Sequence, residues 1–211
     1  MTITNQKLGV VIAAYVLGLG VLVGGFFGWR AFAQSDLQHV YLCRVLPWKR
    51  VALVGSGSVT CRDLLAKRSF METYWNSEPV KKSGKSLKID LGVEYHIVKE
   101  LMNEVAVKQI GDERKLALLD QDVDSAFTEL ASASTTQTQT VSEQLKEIGW
   151  SEGDFKKFIL RPSMLAQKVM TTLTASSTKE QATALDTLIN ARLSQEDAKV
   201  LLSYPDSVKN Q

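Results

Sequence analysis

Histidine and cysteine, the side chains that most often bind zinc or act as base and nucleophile, are few and widely separated in this sequence. Its 211 residues include two histidines, His39 and His96, and two cysteines, Cys43 and Cys61. A structural zinc site needs four ligands, usually in close pairs such as Cys-x-x-Cys, and the sequence contains no such pair. It also contains no nucleophile with a base close to it along the chain. We therefore expect no metal site, no cofactor and no enzymatic activity.

The two cysteines could instead bond to each other. Cys43 and Cys61 stand on either side of a short apolar segment, so a disulfide between them is sterically possible. Such a bond persists in oxidising compartments, because thiols in the cytosol are kept reduced. Two free thiols are the alternative that the sequence leaves open.

The stretch VALVGSGSVTCRDLL, from Val51 to Leu65, could have another chemistry, that of phosphate binding. A strand, Gly-x-Gly and a helix also begin a dinucleotide-binding loop, but that fingerprint has a third glycine where Thr60 stands here. It also needs several parallel strands, whereas the rest of this sequence predicts helices. We therefore predict a β-hairpin, whose glycines permit the turn, with Thr60 capping the first helix.

Helix start signals are frequent after this hairpin. A hydroxyl residue followed three positions later by a carboxylate resembles a capping box, in which both side chains satisfy free backbone N–H groups. Such pairs begin at Thr60, Thr140, Ser151, Ser177 and Ser194. Asp120 is predicted to cap one further helix.

Apolar residues at spacings of three and four agree with these starts. They predict a long helix from Leu91 to Val105 and another from Phe155 to Leu173, which should kink at Pro162 because proline has no N–H to donate. A final helical pair is predicted around Leu185 and through 198–202. Polar, low-complexity composition predicts flexible connections over 78–88 and 132–140.

The uncharged stretch from Leu8 to Trp29 is long enough to cross a membrane. A helix of this length spans about 30 Å, the thickness of the hydrocarbon core, and Lys7 and Arg30 stand at its two ends. A cleaved signal peptide is the rival interpretation, since Ala31-Phe-Ala resembles a cleavage site. The apolar stretch exceeds the usual length of a signal core, which favours an uncleaved, single-pass anchor.

The charges around this anchor leave its orientation open. The basic residues Arg30, Arg44, Lys49 and Arg50 follow the anchor and outnumber Lys7 before it, so the positive-inside rule would place the following domain in the cytoplasm. A secretory segment would instead deliver that domain across the membrane. We expect an extracytoplasmic domain.

Composition and small-residue spacing bear on partners. The net charge of +2 gives no general attraction for nucleic acid, and we expect no nucleic-acid partner. Gly20, Gly24 and Gly28 have the Gly-x-x-x-Gly spacing that pairs membrane helices, so two anchors could form a dimer. A single unpaired span fits this glycine-rich segment equally well.

Three segments together resemble a known family. VALVGSGSVTCRDL, from Val51 to Leu64, is similar to the V-A-x-V-N-G-x-x-I-T-x-x-D-L stretch that opens the N-terminal chaperone domain of the SurA family, with Gly-Ser in place of Asn-Gly. The helix Leu101–Gln109 followed by Asp120–Phe127 is also similar. So is the helix pair Leu145–Arg161 and Leu165–Val169. The same domain occurs in membrane-anchored foldases of the PpiD and PrsA type.

The resemblance extends from Val51 to Leu173 and implies a domain organisation. A membrane anchor or signal peptide would occupy 1–33, a connector 34–50 and a mainly α, SurA N-terminal-like domain with one small β-hairpin 51–176. Residues 177–211 resemble the start of a parvulin prolyl-isomerase domain. Parvulin-type sites use histidines late in that domain. Both histidines here precede it, so isomerase activity is not expected.

The resemblance implies a membrane-anchored, extracytoplasmic chaperone that binds unfolded or partly folded polypeptides without covalent chemistry. Candidate contacts are Phe70, Met71, Tyr74 and Trp75, since methionine and aromatic side chains suit adaptable binding surfaces. The same four residues could simply fill the core of the domain. The alternative function is that of a scaffolding membrane protein whose helical domain docks one fixed partner.

Overall fold

The computed structural model of the chain describes residues 37–84, 88–133, 140–174 and 177–209. Of these, residues 37–42 belong to one unit, and a second, compact unit begins at Cys43. The predicted anchor, Leu8 to Trp29, lies outside the described residues, as do the possible cleavage site and the glycines at 20, 24 and 28. No helix within the described ranges is both long enough and apolar enough to cross a membrane.

The described residues are mainly helical with one small sheet, so the predicted mainly α fold with a β-hairpin is confirmed. In chain order the elements are α1 (Leu37–Val45), β1 (Arg50–Val54), β2 (Gly57–Thr60), α2 (Cys61–Trp75), α3 (Glu78–Lys82), α4 (Leu91–Glu113), α5 (Asp120–Ala133), α6 (Val141–Glu147), α7 (Glu152–Phe155), a π-helical turn (Lys156–Leu160), α8 (Arg161–Met170), α9 (Thr178–Leu193), β3 (Lys199–Val200) and α10 (Asp206–Lys209).

The two glycines of the hairpin serve structural roles and do not form a phosphate-binding loop. β1 and β2 pair antiparallel, and Gly55 in their turn has a φ of +53°, a conformation that glycine adopts without strain. Gly57 lies against α4, where a Cβ atom would come within 2.6 Å of the Val105 side chain. One glycine therefore permits the turn, and the other permits the close approach of a helix.

A third strand corrects the prediction for the C-terminal segment. The predicted second helix of the final pair is wrong: β3 pairs antiparallel with the free edge of β1, and the Leu201 N–H donates to the Val51 carbonyl at 2.8 Å. Ser194 ends α9 and does not begin a new helix. Apolar residues at 198, 200 and 202 alternate with exposed ones, and this strand-like period of two was masked by an equally acceptable helical spacing.

Most of the predicted helix starts are confirmed. Thr60 and Thr140 form complete capping boxes, and the hydroxyls of Ser151 and Ser177 accept the predicted backbone N–H groups. Asp120 does not act as a cap but is the first residue of α5. The N–H before it, that of Leu119, is accepted by the carboxylate of Asp122 at 3.1 Å.

The connection predicted as flexible over 78–88 contains a short helix, α3. Proline at position 79 suits the first turn of a helix, where its missing N–H costs nothing, and Val80 is buried. The residues between 84 and 88 and between 133 and 140 lie outside the described ranges.

The long helix α4 is the central element of the second unit. It packs against β1, β2, α2, α8 and α9. Its side chains Val98, Met102 and Ala106 are almost fully buried, and Ile110 joins Val169 of α8 and Leu185 of α9 in one apolar cluster. A second cluster forms around Phe127 of α5, where α6, the end of α7 and the π-helical turn pack.

A disulfide joins the end of α1 to the start of α2. Cys43 and Cys61 are bonded and fully buried, 18 residues apart in sequence. Two backbone hydrogen bonds reinforce the junction: Cys61 N–H donates to the Lys49 carbonyl at 2.8 Å and Arg62 N–H donates to the Pro47 carbonyl at 2.9 Å. The turn that enters β1 is therefore fixed to the first turn of α2.

Replacing both cysteines by serine is expected to lower the free energy of unfolding by about 3 kcal/mol, because a loop of this length loses its covalent closure. Denaturant unfolding of the full chain measures the change. Reductant should shift the wild-type midpoint to that of C43S/C61S and leave the double variant unaffected. A wild-type midpoint insensitive to reductant would contradict the expectation.

Candidate functional site

A groove of about 580 Å³ lies between α4, the junction of β2 with α2, and the start of α8. Its volume is within the range of pockets that hold ligands, and it is partly open to solvent. Most of its surface is apolar. The main apolar contributors are Val59, Leu101, Val105, Phe158, Pro162 and Leu165.

The side of the groove opposite α4 is shaped by Pro162. The predicted kink takes the form of a π-helical turn between α7 and α8, with the proline in the first turn of α8. Proline has no N–H to donate to the Phe158 carbonyl four residues before it. That buried carbonyl instead accepts from Lys67 Nζ at 3.4 Å. Single π turns in helices are frequently found at functional sites.

Lys67 is a buried cation with its three hydrogen-bonding positions in use. Its side chain is 1 % exposed, and Nζ lies 2.8 Å from Glu100 Oε1 and 3.0 Å from Glu104 Oε1, in addition to the Phe158 carbonyl. One ammonium thus joins α2, α4 and the π-helical turn. The two carboxylates are partly exposed, so the buried ammonium is the group that depends most on the pairing.

The ionisation of this cluster follows from its composition. Burial alone would lower the pKa of Lys67, but the hydrogen bond to Glu100 and the negative charge of Glu104 outweigh it and hold that pKa above its ordinary value of 10.5. Burial also raises the pKa of Glu104. Lys67 acts in the opposite direction and lowers this pKa, while the negative charges of Glu100 and Asp63 raise it further. Because the carboxylates outnumber the single ammonium, the pKa of Lys67 and the pKa of Glu104 are both raised.

The two long sides of the groove therefore differ in charge. Asp63, Glu100 and Glu104 line the side formed by α2 and α4, while Lys157 and Arg161 line the side formed by the π-helical turn and α8. Arg161 is paired with Asp120. Lys108 also lines the groove further along α4, where it pairs with Asp112 at 2.9 Å. A ligand in the groove would contact apolar side chains between unlike charges.

The side chains predicted to contact polypeptides occupy different environments. Phe70 is buried and stacks on Trp150, with ring centroids 4.0 Å apart. Its ring also contacts that of Phe158, at a centroid distance of 4.9 Å. Met71, Tyr74 and Trp75 are partly exposed. Phe70 lines a smaller cavity of about 230 Å³ that shares Ala66, Lys157 and Phe158 with the groove.

A second buried charge ties the C-terminal segment to this framework. Glu94 of α4 is fully buried, accepts from the Arg68 guanidinium of α2 and accepts from the Tyr204 hydroxyl at 3.0 Å. Burial and the charge of Glu94 raise the pKa of Tyr204 well above its ordinary range, so this hydroxyl remains a hydrogen-bond donor. Arg68 also donates to the Ile89 carbonyl at 3.2 Å.

Sequence reasoning missed these buried charges, although a signal existed. Lys67 and Arg68 stand three and four positions after Leu64, where the apolar face of α2 continues, and Glu94 stands between Leu91 and Val98 on the apolar face of α4. A charge at such a position indicates a buried partner, because an uncompensated buried charge is too costly. The sequence does not show which residues provide the compensation.

The groove offers shape, apolar surface and charge, which suit non-covalent binding. The hydroxyls that line it belong to Ser58 and Ser163, and the second of these donates to the Ile159 carbonyl at 2.7 Å. His96 is exposed on α4 and does not line the groove. Within the ranges that the structure describes, no group of three or more His, Cys, Asp or Glu residues is placed to hold a metal ion.

Comparison of the chain with protein-family models, with curated proteins and with solved structures gave no match.

Glu104→Gln is expected to remove a contribution that lowers the free energy of unfolding as pH rises. The pKa of Glu104 is raised in the folded chain above its ordinary value of 4.5, so the folded chain binds this proton more tightly than the unfolded chain does. Glu104 therefore lowers the free energy of unfolding as the pH rises above about 4.5. The stability of E104Q relative to wild type should therefore increase between about pH 4 and pH 7.

Denaturant unfolding across this pH range measures the effect. Glu129→Gln, an isosteric change at an exposed position of α5, is the matched control and should show a flat difference. A relative stability of E104Q that falls with rising pH would mean that Lys67 lowers the pKa of Glu104 more than burial raises it.

Proposed function

We propose that this protein is a single-pass, membrane-anchored chaperone-like protein whose helical domain binds extended segments of unfolded or partly folded polypeptides. The observation that carries the proposal is the open groove of about 580 Å³ between α4, α2 and α8. Its apolar surface takes up apolar side chains, and its opening to solvent gives an extended polypeptide access to that surface.

Two properties of the groove favour polypeptides over a small ligand. Its apolar residues, among them Leu101, Phe158 and Leu165, contribute most of its surface, which suits the apolar side chains of an unfolded segment. Its charged residues are of both signs, so they can meet both acidic and basic side chains of a bound segment. Such a surface favours apolar segments broadly and selects weakly among sequences.

The SurA-like sequence pattern supports the same proposal and adds a location. The Cys43–Cys61 disulfide suits an oxidising, extracytoplasmic compartment, and the predicted anchor from Leu8 to Trp29 would tether the domain to the membrane there. Polypeptides that emerge from the membrane unfolded would then meet the groove close to where they arrive. The proposal includes no isomerase activity.

Ser163→Trp is expected to weaken polypeptide binding about tenfold, because the bulky ring would occupy groove volume that an apolar side chain of the bound segment otherwise fills. Ser163 is exposed and lines the groove at the start of α8. Gln167→Trp, one turn further along the same helix at an exposed position outside the groove lining, is the matched control.

Two measurements on the full chain in detergent or nanodiscs test this expectation. One is the anisotropy of a fluorescent, unstructured apolar peptide, and the other is the rate at which a denatured client protein aggregates. Wild type and Q167W should bind the peptide and slow aggregation, and S163W should do both less well. Equal activity of S163W and Q167W would remove the groove from the proposal.

The scaffolding alternative is separated by crosslinking within membranes. A photoreactive amino acid at position 163 should yield many weak adducts if the groove serves as a general polypeptide site. One dominant adduct would instead identify a fixed partner and overturn the chaperone proposal.

Protease treatment of intact cells tests the orientation. With an extracytoplasmic domain, added protease should digest the region after residue 43 without cell lysis, and a cytoplasmic reporter protein should survive as the control. Protection of the domain until lysis would place it in the cytoplasm, as the positive-inside rule alone suggests.

A further inference from the structure

Trp48 is the most exposed large apolar side chain in the described part of the chain, with 71 % of its surface accessible. It stands at the third position of a turn from Leu46 to Lys49, and the Lys49 N–H closes this turn by donating to the Leu46 carbonyl at 3.0 Å. Val45, just before the turn, is 55 % exposed.

This turn is held firmly in place. Two hydrogen bonds fix it to the first turn of α2: Cys61 N–H donates to the Lys49 carbonyl, and Arg62 N–H donates to the Pro47 carbonyl. The Cys43–Cys61 disulfide adds a covalent link three residues before the turn begins. Trp48 is thus presented to solvent by a braced backbone.

Cations surround Trp48 along the chain. Arg44, Lys49 and Arg50 are all exposed, and among the described residues no carboxylate forms an ion pair with any of them. We call the five residues Arg44, Val45, Trp48, Lys49 and Arg50 the Trp48 patch. It combines an amphipathic aromatic ring with three positive charges within seven residues.

This combination suits the surface of an anionic bilayer. Tryptophan prefers the headgroup region, where its ring is apolar and its N–H remains wet, and exposed arginine and lysine are attracted to anionic lipids. A stable protein partner would need about 800 Å² on each side, far more than one tryptophan and one valine provide.

The position of the patch in the chain supports this occupant. The predicted anchor ends at Trp29, so fewer than about twenty residues separate the membrane from Trp48, and a chain of that length reaches the headgroups easily. We infer that the Trp48 patch docks onto an anionic bilayer and holds the domain against the membrane in which the chain is anchored. This inference rests on the anchor of the proposed function and is independent of what the groove binds.

Quenching by lipid tests the docking. The full chain is reconstituted in vesicles of phosphatidylcholine, alone or with about one third phosphatidylglycerol, with bromine atoms placed on the lipid chains near the headgroups. The emission of Trp48 is obtained as the difference between wild type and Trp48→Ser. We expect this emission to shift to shorter wavelength and to be quenched severalfold in the anionic vesicles, and less in the neutral ones.

Charge variants separate the lipid contribution. K49Q/R50Q should reduce the quenching of Trp48 in anionic vesicles to the level seen in neutral ones. K81Q/K82Q, which removes two exposed charges from α3, is the matched control and should leave it unchanged. Equal quenching of K49Q/R50Q and wild type would overturn the role of the charges.

The remaining outcomes are distinguishable. Vesicles that float with the protein while Trp48 stays unquenched would overturn the docking and leave the anchor intact. A protein that does not float with vesicles would overturn both. A shift of Trp48 emission that needs only higher protein concentration would assign the patch to a second copy of the chain. Peptide binding by wild type and S163W reports separately on the groove.

Discussion

The hydrogen bonds of one buried ammonium group hold together the elements that enclose the groove. Lys67 extends from α2, ion-pairs with Glu100 and Glu104 of α4 and donates to the Phe158 carbonyl in the π-helical turn. A lysine so buried is costly unless each of its three donors finds an acceptor. The three hydrogen bonds of Lys67 therefore form only when α2, α4 and the π-helical turn lie at fixed distances from one another, and these distances define the groove.

The presence of Pro162 accounts for one hydrogen bond of Lys67. The proline leaves a carbonyl in the preceding turn without its helical donor, and the lysine supplies one from another helix. A leucine or methionine at position 67 would fill similar volume but would remove the side-chain donor of the buried Phe158 carbonyl and the cation that faces Glu100 and Glu104.

Local signals in the sequence determined much of the fold. The caps at Thr60 and Thr140, the hairpin and the helix α4 follow from short-range spacing, and all four are found in the structure. Long-range pairing was not accessible in the same way. Residues near 200 fit a helix and a strand about equally, and only the free edge of β1, far away in the chain, decides for the strand. The groove depends on the same kind of information, since Lys67 and its acceptors are separated by up to 91 residues.

The pairing of β3 with β1 has a consequence for the order in which the chain can acquire its structure during synthesis. β1 is made early and has one partner, β2, at once, but its other edge waits until residues near 200 have left the ribosome. Contacts between such distant segments form slowly, because a long loop must close first. Until then the nascent domain exposes an unpaired strand edge, a surface that itself invites aggregation.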